Sequence, residues 1–127
     1  MQALRSRRPR TLPEALILCS EFGYAFGDAI AEFLDDFYAH PTPAALSAEP
    51  APTGNALNDA YLAAVAEHLA TQRDWIAPDW VQQPTRFLKT PFFAGGMEGM
   101  KAVLLRESPV AFRRRQIFVS ENALTRA

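Results

Sequence analysis

The sequence predicts a mostly α-helical protein, a compact single-domain bundle of four to six helices with one aromatic and proline-rich loop. Apolar residues recur at steps of three and four through much of the chain, and no segment alternates strictly between apolar and polar residues. The chain has 127 residues, 49% of them hydrophobic, which suits one domain with its own core. We therefore expect a basic, flexible arm over residues 1–10 and a single helical domain over residues 11–127.

The first helix is predicted from its capping residues, and the second is predicted from its apolar face. Thr11 is followed three residues later by Glu14, with Pro13 between them, which is the spacing of a capping box, and Gly23 is suited to end that helix. In "FGDAIAEFLDDFYAHP" the apolar side chains line one face of a second helix, which stops at the His-Pro pair. The residues of that face are Phe26, Ile30, Phe33, Leu34 and Phe37.

A proline-rich connector separates the second helix from the third. Residues 41–54 hold four prolines and little apolar bulk, which predicts an exposed, semi-rigid segment inside the domain. The third helix is predicted from about residue 55 to 73, because its apolar residues form one stripe at helical spacing. The stripe consists of Leu57, Tyr61, Ala64, Val65, His68 and Leu69.

After the third helix we predict an aromatic loop, which is followed by two further helices. We expect "DWIAPDWVQQPTRFLKTPFFAGG" to form a hydrophobic loop over the helices, anchored by Trp75, Trp80, Phe87 and Phe92. Gly95-Gly96 then opens a fourth helix through Met97, Met100, Val103 and Leu104, and Ser108-Pro109 is an N-cap and first-turn pair for a short fifth helix. "IFV" is a brief extended piece, and Ser120 caps a last turn. The predicted core includes Phe33, Phe37, Tyr61, Val65, Leu69, Leu104 and Phe112.

Charge is segregated along the chain although the net charge is -1. Residues 1–10 carry four arginines and no acid, whereas residues 14–59 carry eight acids and neither lysine nor arginine. Residues 81–127 are basic again, with eight bases against three acids. Such polarity indicates interactions with charged partners or between the two halves of the chain.

Few residues point to catalysis or to a cofactor. Cys19 lies in an apolar run without a basic neighbour that would lower its pKa, so we interpret it as a buried residue in a reducing compartment. His40 and His68 are far apart, and His68 lies on the apolar stripe of the third helix, which favours a core or boundary role. "AGGMEG" lacks the spacing and the lysine of a phosphate loop. We expect no enzyme activity, cofactor, metal or membrane span, and a cytoplasmic location.

Two charged clusters are the candidate sites. The first cluster lies on one face of the second helix, either as a solvated face or as a surface for a basic partner, and consists of Asp28, Glu32, Asp35 and Asp36.

The second cluster is the arginine triplet in "SPVAFRRRQIFVS". The three arginines spread over about 200° of a helix, so at least one must point into the protein, where the acidic second helix is a possible partner. The alternatives are phosphate contacts together with the arginine-rich arm, or a protein interface. The predicted partner-binding residues are Asp28, Glu32, Asp35, Phe112, Arg113, Arg114, Arg115, Ile117 and Phe118.

The carboxy-terminal part of the chain resembles a group of small bacterial proteins that share the string "W…RFL…P-F…L…ESP-AFRRR-IFVS…L-R". The resemblance covers about residues 56–127, and "DAYLAAVAEHLA" is similar as well. The matching residues are Trp80, Arg86, Phe87, Phe92, Ser108, Pro109, Phe112, Arg113, Arg114, Ile117, Phe118 and Arg126. Members of this group accompany nucleotidyltransferase-fold toxins, which implies an antitoxin or accessory role.

These observations predict a non-catalytic protein-binding module that neutralises a nucleotidyltransferase-like toxin. It would cover the nucleotide or RNA site or hold the enzyme inactive. The alternative is a nucleic-acid-binding regulator that uses the amino-terminal arginine arm and Arg113–Arg115. For the isolated chain we expect only weak, unselective binding to nucleic acid.

Overall fold

The computed structural model describes residues 8–94 and 101–126, which fold mainly into α-helices and include one pair of two-residue strands. The mostly α-helical class predicted from the sequence is confirmed. In chain order the α-helices are α1 (Leu12–Phe22), α2 (Phe26–Ala39), α3 (Ala44–Ser47), α4 (Ala56–Gln72), α5 (Lys101–Glu107) and α6 (Val110–Arg113). Two 3-10 helices (Asp79–Gln82 and Pro84–Arg86) lie between α4 and strand β1 (Phe92–Phe93), and strand β2 (Ile117–Phe118) follows α6.

The chain divides into two compact units. The first unit contains residues 8–51 together with Arg126, and the second contains residues 52–94 and 101–125. The division falls inside the predicted proline-rich connector. That residues 11–127 form one domain stays a prediction, as does the flexible arm, of which residues 1–7 lie outside the described part of the chain.

In the first unit, α1 begins and ends where its sequence indicates. The hydroxyl of Thr11 accepts a hydrogen bond from the backbone N–H of Glu14 at 3.2 Å, which satisfies one of the free donors at the helix start. The Glu14 carboxylate accepts from the backbone N–H of Arg10 at 2.8 Å. Gly23 ends the helix with a φ of 74°, a left-handed conformation that glycine adopts without steric cost.

Helix α2 packs its apolar stripe into the core of the first unit. Phe33 and Phe37 are buried and stack with ring centroids 5.9 Å apart. The following connector is less exposed than predicted, because it contains the short helix α3. Ala45 and Leu46 of α3 are buried, so this part of the connector contributes to the core.

The centre of the second unit is α4, which is buried on most of its circumference. Asn55 caps the helix by accepting from the backbone N–H of Asn58 at 3.0 Å. Its buried residues are Ala60, Leu62, Ala63, Ala64, Val65, Ala66, Leu69 and Ala70. A helix with apolar residues on nearly all sides lies inside its unit. Of the seven predicted core residues only Tyr61, which is half-buried, is not fully enclosed.

The four proposed anchors of the aromatic segment after α4 differ in depth. Trp80 is buried, Trp75 and Phe87 are half-buried, and Phe92 is exposed but pairs with Ile117. Arg86 is also buried. Its guanidinium lies 4.8 Å from the centroid of the Trp80 ring, and its NH1 group donates to the backbone oxygen of Asp59 at 3.2 Å.

Strands β1 and β2 pair in parallel and connect the aromatic segment to the carboxy-terminal part. Phe92 is opposite Ile117 and Phe93 is opposite Phe118, which confirms "IFV" as extended and identifies its partner. The predicted helix start at Gly95-Gly96, with Met97 and Met100, lies outside the described residues.

Ser108 has a different role from the predicted N-cap. The residue before α6 is Pro109, which carries no capping side chain. The buried hydroxyl of Ser108 donates to the backbone oxygen of Leu104 at 2.5 Å and accepts from the backbone N–H of Val119 at 2.9 Å. The hydroxyl therefore joins α5 to the chain after β2.

Candidate functional site

The three consecutive arginines differ in their surroundings. Arg115 is completely buried, with 0% of its surface exposed, whereas Arg113 is exposed and Arg114 is partly exposed. One arginine therefore points into the protein as predicted, although α6 ends at Arg113 and both Arg114 and Arg115 lie in the turn that follows it. The partner of Arg115 is Glu67 of α4, however, and not the acidic face of α2.

Arg115 is held by four neighbours. Its NH1 group bonds to a carboxylate oxygen of Glu67 and donates to the backbone oxygen of Ala111 at 2.8 Å. Its NH2 group donates to the backbone oxygen of Val81 at 2.7 Å, and the guanidinium lies 4.5 Å from the ring centroid of Phe87. Burial lowers the pKa of Arg115, and the bond to Glu67 opposes that effect, so the guanidinium stays charged. Arg115 thus links α6, α4 and the first 3-10 helix.

Arg114 uses the second oxygen of the same carboxylate. Its NH1 group lies 2.6 Å from the Glu67 carboxylate, and its NH2 group donates to the Gln82 side chain at 3.0 Å. Two arginines therefore share Glu67, and the arginine triplet does not present three free cations to a partner. Arg113 is the exception, since it forms no ion pair with any residue in the described ranges.

The three apolar residues proposed as interface anchors lie in the core of the second unit. Phe112 and Ile117 are fully buried, and Phe118 is nearly so. The Phe112 ring meets Tyr61 edge-on at 5.1 Å between centroids, and Phe118 stacks on Phe93 at 4.9 Å. These side chains stabilise the unit from inside and are not on its surface in this structure.

The acidic residues of α2, by contrast, remain accessible. We name the acidic face as Asp28, Glu32, Asp35 and Asp36, which span about 100° of the helix circumference and about 12 Å of its length. Asp28 is exposed and the other three are half-buried. The face lies opposite the buried stripe that includes Phe33 and Phe37.

Two of these carboxylates hold arginines of the chain itself. Arg126 donates to both oxygens of Asp35, from Nε at 2.9 Å and from NH2 at 3.3 Å, and Arg8 lies 3.5 Å from Glu32. The hydrogen bond from Arg126 lowers the pKa of Asp35, while partial desolvation opposes the shift. The carboxylates of Asp28 and Asp36 form no ion pair or hydrogen bond within residues 8–94 and 101–126.

An open cleft of about 430 Å³ adjoins the acidic face in the first unit. It is formed by the turn between α1 and α2, by one side of α2, and by Arg126. Tyr24 and Asp28 line it, and Tyr24 is exposed. The cleft combines an aromatic ring with carboxylates, a combination that can bind a cation.

The residues with catalytic potential are isolated. His68 is half-buried with its ring 6.2 Å from that of Phe112, and His40 is exposed at the end of α2. Cys19 is half-buried and not buried as predicted, and this partial burial raises its pKa, which disfavours the reactive thiolate. In the described part of the chain no three His, Cys, Asp or Glu side chains form a group that could hold a metal ion. None of the helices within these ranges is long and apolar enough to cross a membrane.

Glu67 and Arg86 are the polar core residues that sequence reasoning missed. Glu67 is the one charged residue between Asp59 and Arg73 of a helix that is otherwise apolar or small for most of its length. An acid in such a helix needs a buried cation, and the arginine triplet is the densest source of one. Arg86 offered no comparable pattern, because it lies among prolines and aromatics without periodicity.

His68 predicts a pH dependence of stability in the second unit. Burial lowers the pKa of His68 below its ordinary 6.5, so the unfolded chain binds a proton at higher pH than the folded chain. Stability from this residue is complete above about pH 6.5 and is lost as the pH falls toward the folded pKa. Urea unfolding followed by tryptophan fluorescence should show a loss of stability as the pH falls below about 6.5. The His68→Gln variant should decline less, and an equal decline in both proteins would contradict this role.

Comparisons of the chain with protein-family models, with curated proteins and with solved structures find no match.

Proposed function

We propose that this chain is a non-catalytic protein-binding module that neutralises a nucleotidyltransferase-like toxin. In this proposal the acidic face of α2 covers the basic surface that binds nucleotide or RNA on the toxin. A cytoplasmic location belongs to the same proposal. The observation that carries it is the acidic face itself, since two of its four carboxylates already hold arginine side chains.

The contacts with Arg126 and Arg8 indicate which chemistry the face prefers. Asp35 receives a two-point bond from a guanidinium, the geometry in which arginine also binds phosphate groups. A site that binds nucleotide or RNA needs arginines or lysines for the phosphates. In the proposed complex the unpaired Asp28 and Asp36 compete with phosphates for those side chains.

The charge distribution supports the same partner. Because residues 14–59 contain neither lysine nor arginine, the sequence around α2 adds acids without compensating bases. A field of one sign raises the rate at which a partner of opposite sign associates, and it repels partners of the same sign. Both effects would favour a basic toxin surface over other proteins.

The nucleic-acid-binding alternative receives less support from the arginine triplet. Arg115 is buried and Arg114 is paired with Glu67, so Arg113 alone remains available from the three. Arg5 and Arg7 of the arm lie outside the described residues, Arg8 contacts Glu32, and Arg10 alone is exposed without an ion pair in the described part of the arm. We therefore give the protein-binding proposal precedence.

Reversing the charge of the unpaired acids tests the proposal. The Asp28→Lys/Asp36→Lys variant should keep its melting temperature, because neither residue has an ion-pair partner within the described ranges. Its Kd for the product of an adjacent nucleotidyltransferase reading frame should rise at least about tenfold, since like charges would meet at the contact. Titration calorimetry and relief of growth arrest on co-expression are the measurements.

A matched control changes the net charge equally at another place. Asp79 and Glu121 are exposed in the second unit, and the Asp79→Lys/Glu121→Lys variant should bind as the unchanged protein does. Equal weakening by both variants would show an effect of net charge alone. Failure of the unchanged chain to bind or inhibit the adjacent enzyme would overturn the proposal.

A further inference from the structure

The surface of α5 and α6 carries an exposed group of apolar and basic side chains. We name it the basic-apolar patch and define it as Leu105, Arg106, Val110 and Arg113. Leu105 is 48% exposed and Val110 is 63% exposed, although both are large apolar residues. Arg106 and Arg113 are exposed and form no ion pair within the described ranges.

The four residues lie close enough together to act as one surface. Arg106 and Arg113 are separated by part of two helices and the Ser108-Pro109 junction, which limits their Cα separation to about 20 Å. Val110 and Arg113 are three residues apart in α6 and therefore neighbours on that helix. Protein interfaces bury about 800 Å² on each partner, so a patch of this size lies within one contact.

The composition of the patch is that of an interface centre. Arginine is enriched at interfaces, and its long side chain both packs on apolar groups and donates to carboxylates. Single exposed apolar residues are ordinary, but here Leu105 and Val110 flank the helix junction, and two exposed arginines without an ion pair lie within three residues of them in the chain. Such a patch is complementary to a partner surface that presents carboxylates together with an exposed apolar or aromatic side chain.

We propose that the basic-apolar patch docks on the acidic face of α2 in a second copy of this chain. Asp28 and Asp36 are unpaired within the described residues and lie about 12 Å apart along α2, a spacing that Arg106 and Arg113 can match. Exposed Tyr24, which lines the cleft beside Asp28, supplies the apolar contact for Val110 or Leu105. Asp35 and Glu32 show that this face accepts guanidinium groups.

This inference stands apart from the proposed function, but the two share the acidic face. A second copy and a basic toxin would compete for Asp28 and Asp36, so toxin binding would release one copy from the other. Since each chain carries both surfaces, the contact is between unlike patches, and it either closes into a symmetric pair or continues to larger assemblies. Analytical ultracentrifugation of the purified full chain distinguishes these forms by mass.

Two oppositely charged variants test the docking directly. Arg106→Glu/Arg113→Glu makes both surfaces acidic, and Asp28→Lys/Asp36→Lys makes both basic. The unchanged chain should self-associate at low salt, with a Kd that rises at least about tenfold between 50 mM and 500 mM NaCl because salt screens the charges. Each variant alone should be monomeric, and an equimolar mixture of the two should associate again.

Association of the two variants in the mixture would show that both are folded, because a misfolded variant would not bind the other specifically. Melting temperatures of both variants provide the folding control, and Val110→Ser should weaken association of the unchanged chain without altering its charge. A wild-type chain that stays monomeric at low salt, or a mixture that does not associate, would overturn the inference. If Arg106→Glu/Arg113→Glu instead weakens toxin binding while the unchanged chain is monomeric, the patch belongs to the toxin interface and self-docking is overturned.

Discussion

Replacing Glu67 with glutamine is expected to destabilise the second unit by about 3–5 kcal/mol, because the buried Arg115 would lose the one carboxylate that it contacts among the described residues. Arg115 has no access to water that could solvate its charge. Its two carbonyl acceptors, on Ala111 and Val81, cannot supply the missing negative charge. Arg114 loses a bond as well, but it is partly exposed and water replaces that bond at little cost.

Tryptophan fluorescence is a suitable probe for this change, because both tryptophans of the chain lie in the second unit. Guanidinium or urea titration should give a lower midpoint for Glu67→Gln, while Glu121→Gln, at an exposed position in the same unit, should match the unchanged protein. A loss below about 1 kcal/mol would mean that the pair behaves as a surface ion pair.

A double-mutant cycle separates the pair from its surroundings. Arg115→Met removes the charge but leaves two buried carbonyls without their donor, so we expect it to cost stability by itself. The combined Glu67→Gln/Arg115→Met variant should cost less than the sum of the single changes, since no uncompensated charge remains. Additive costs would contradict a coupled buried pair. The same reasoning predicts that reversing all three arginines to glutamate unfolds the second unit and so cannot test an interface.

Truncating Phe37 to alanine is expected to destabilise the first unit by about 2–5 kcal/mol. The ring is buried and stacks on Phe33, so its removal leaves a cavity among side chains that α2 holds in place. Leu69→Ala should lower the free energy of unfolding of the second unit by a similar amount, because the Leu69 side chain is completely buried.

Exposed apolar residues provide the controls for these truncations. Ile76 is 96% exposed and Tyr24 is also exposed, so Ile76→Ala and Tyr24→Ala should change stability by less than about 0.5 kcal/mol. Circular dichroism at 222 nm follows α2, which contains no tryptophan, and fluorescence follows Leu69→Ala. Comparable losses in the controls and the core variants would contradict the described burial.

The sequence by itself determined helices α1, α2 and α4 and their ends to within a residue or two. Thr11, Gly23 and Asn55 act through contacts with residues only a few positions away, so local patterns predict them. The predicted stripe of α2 is buried at Ile30, Phe33, Leu34 and Phe37 and half-buried at Phe26, because an amphipathic helix turns its apolar side toward the core. The acidic face followed from the same periodicity, and the structure leaves it accessible.

The tertiary structure decided the roles of the arginines and of the aromatic segment. Arg115 and Glu67 are 48 residues apart, and no local pattern indicates which of three arginines becomes buried or which acid meets it. Phe92 and Ile117 pair although they are 25 residues apart along the chain, so the sheet too depends on how the segments pack. Buried charges and short strands are fixed by long-range contacts, because only a neighbour brought close by folding can replace the water that such groups lose. For that reason Phe112, Ile117 and Phe118 belong to the core although their sequence resembles an interface, and Arg113 alone of the triplet remains available to a partner.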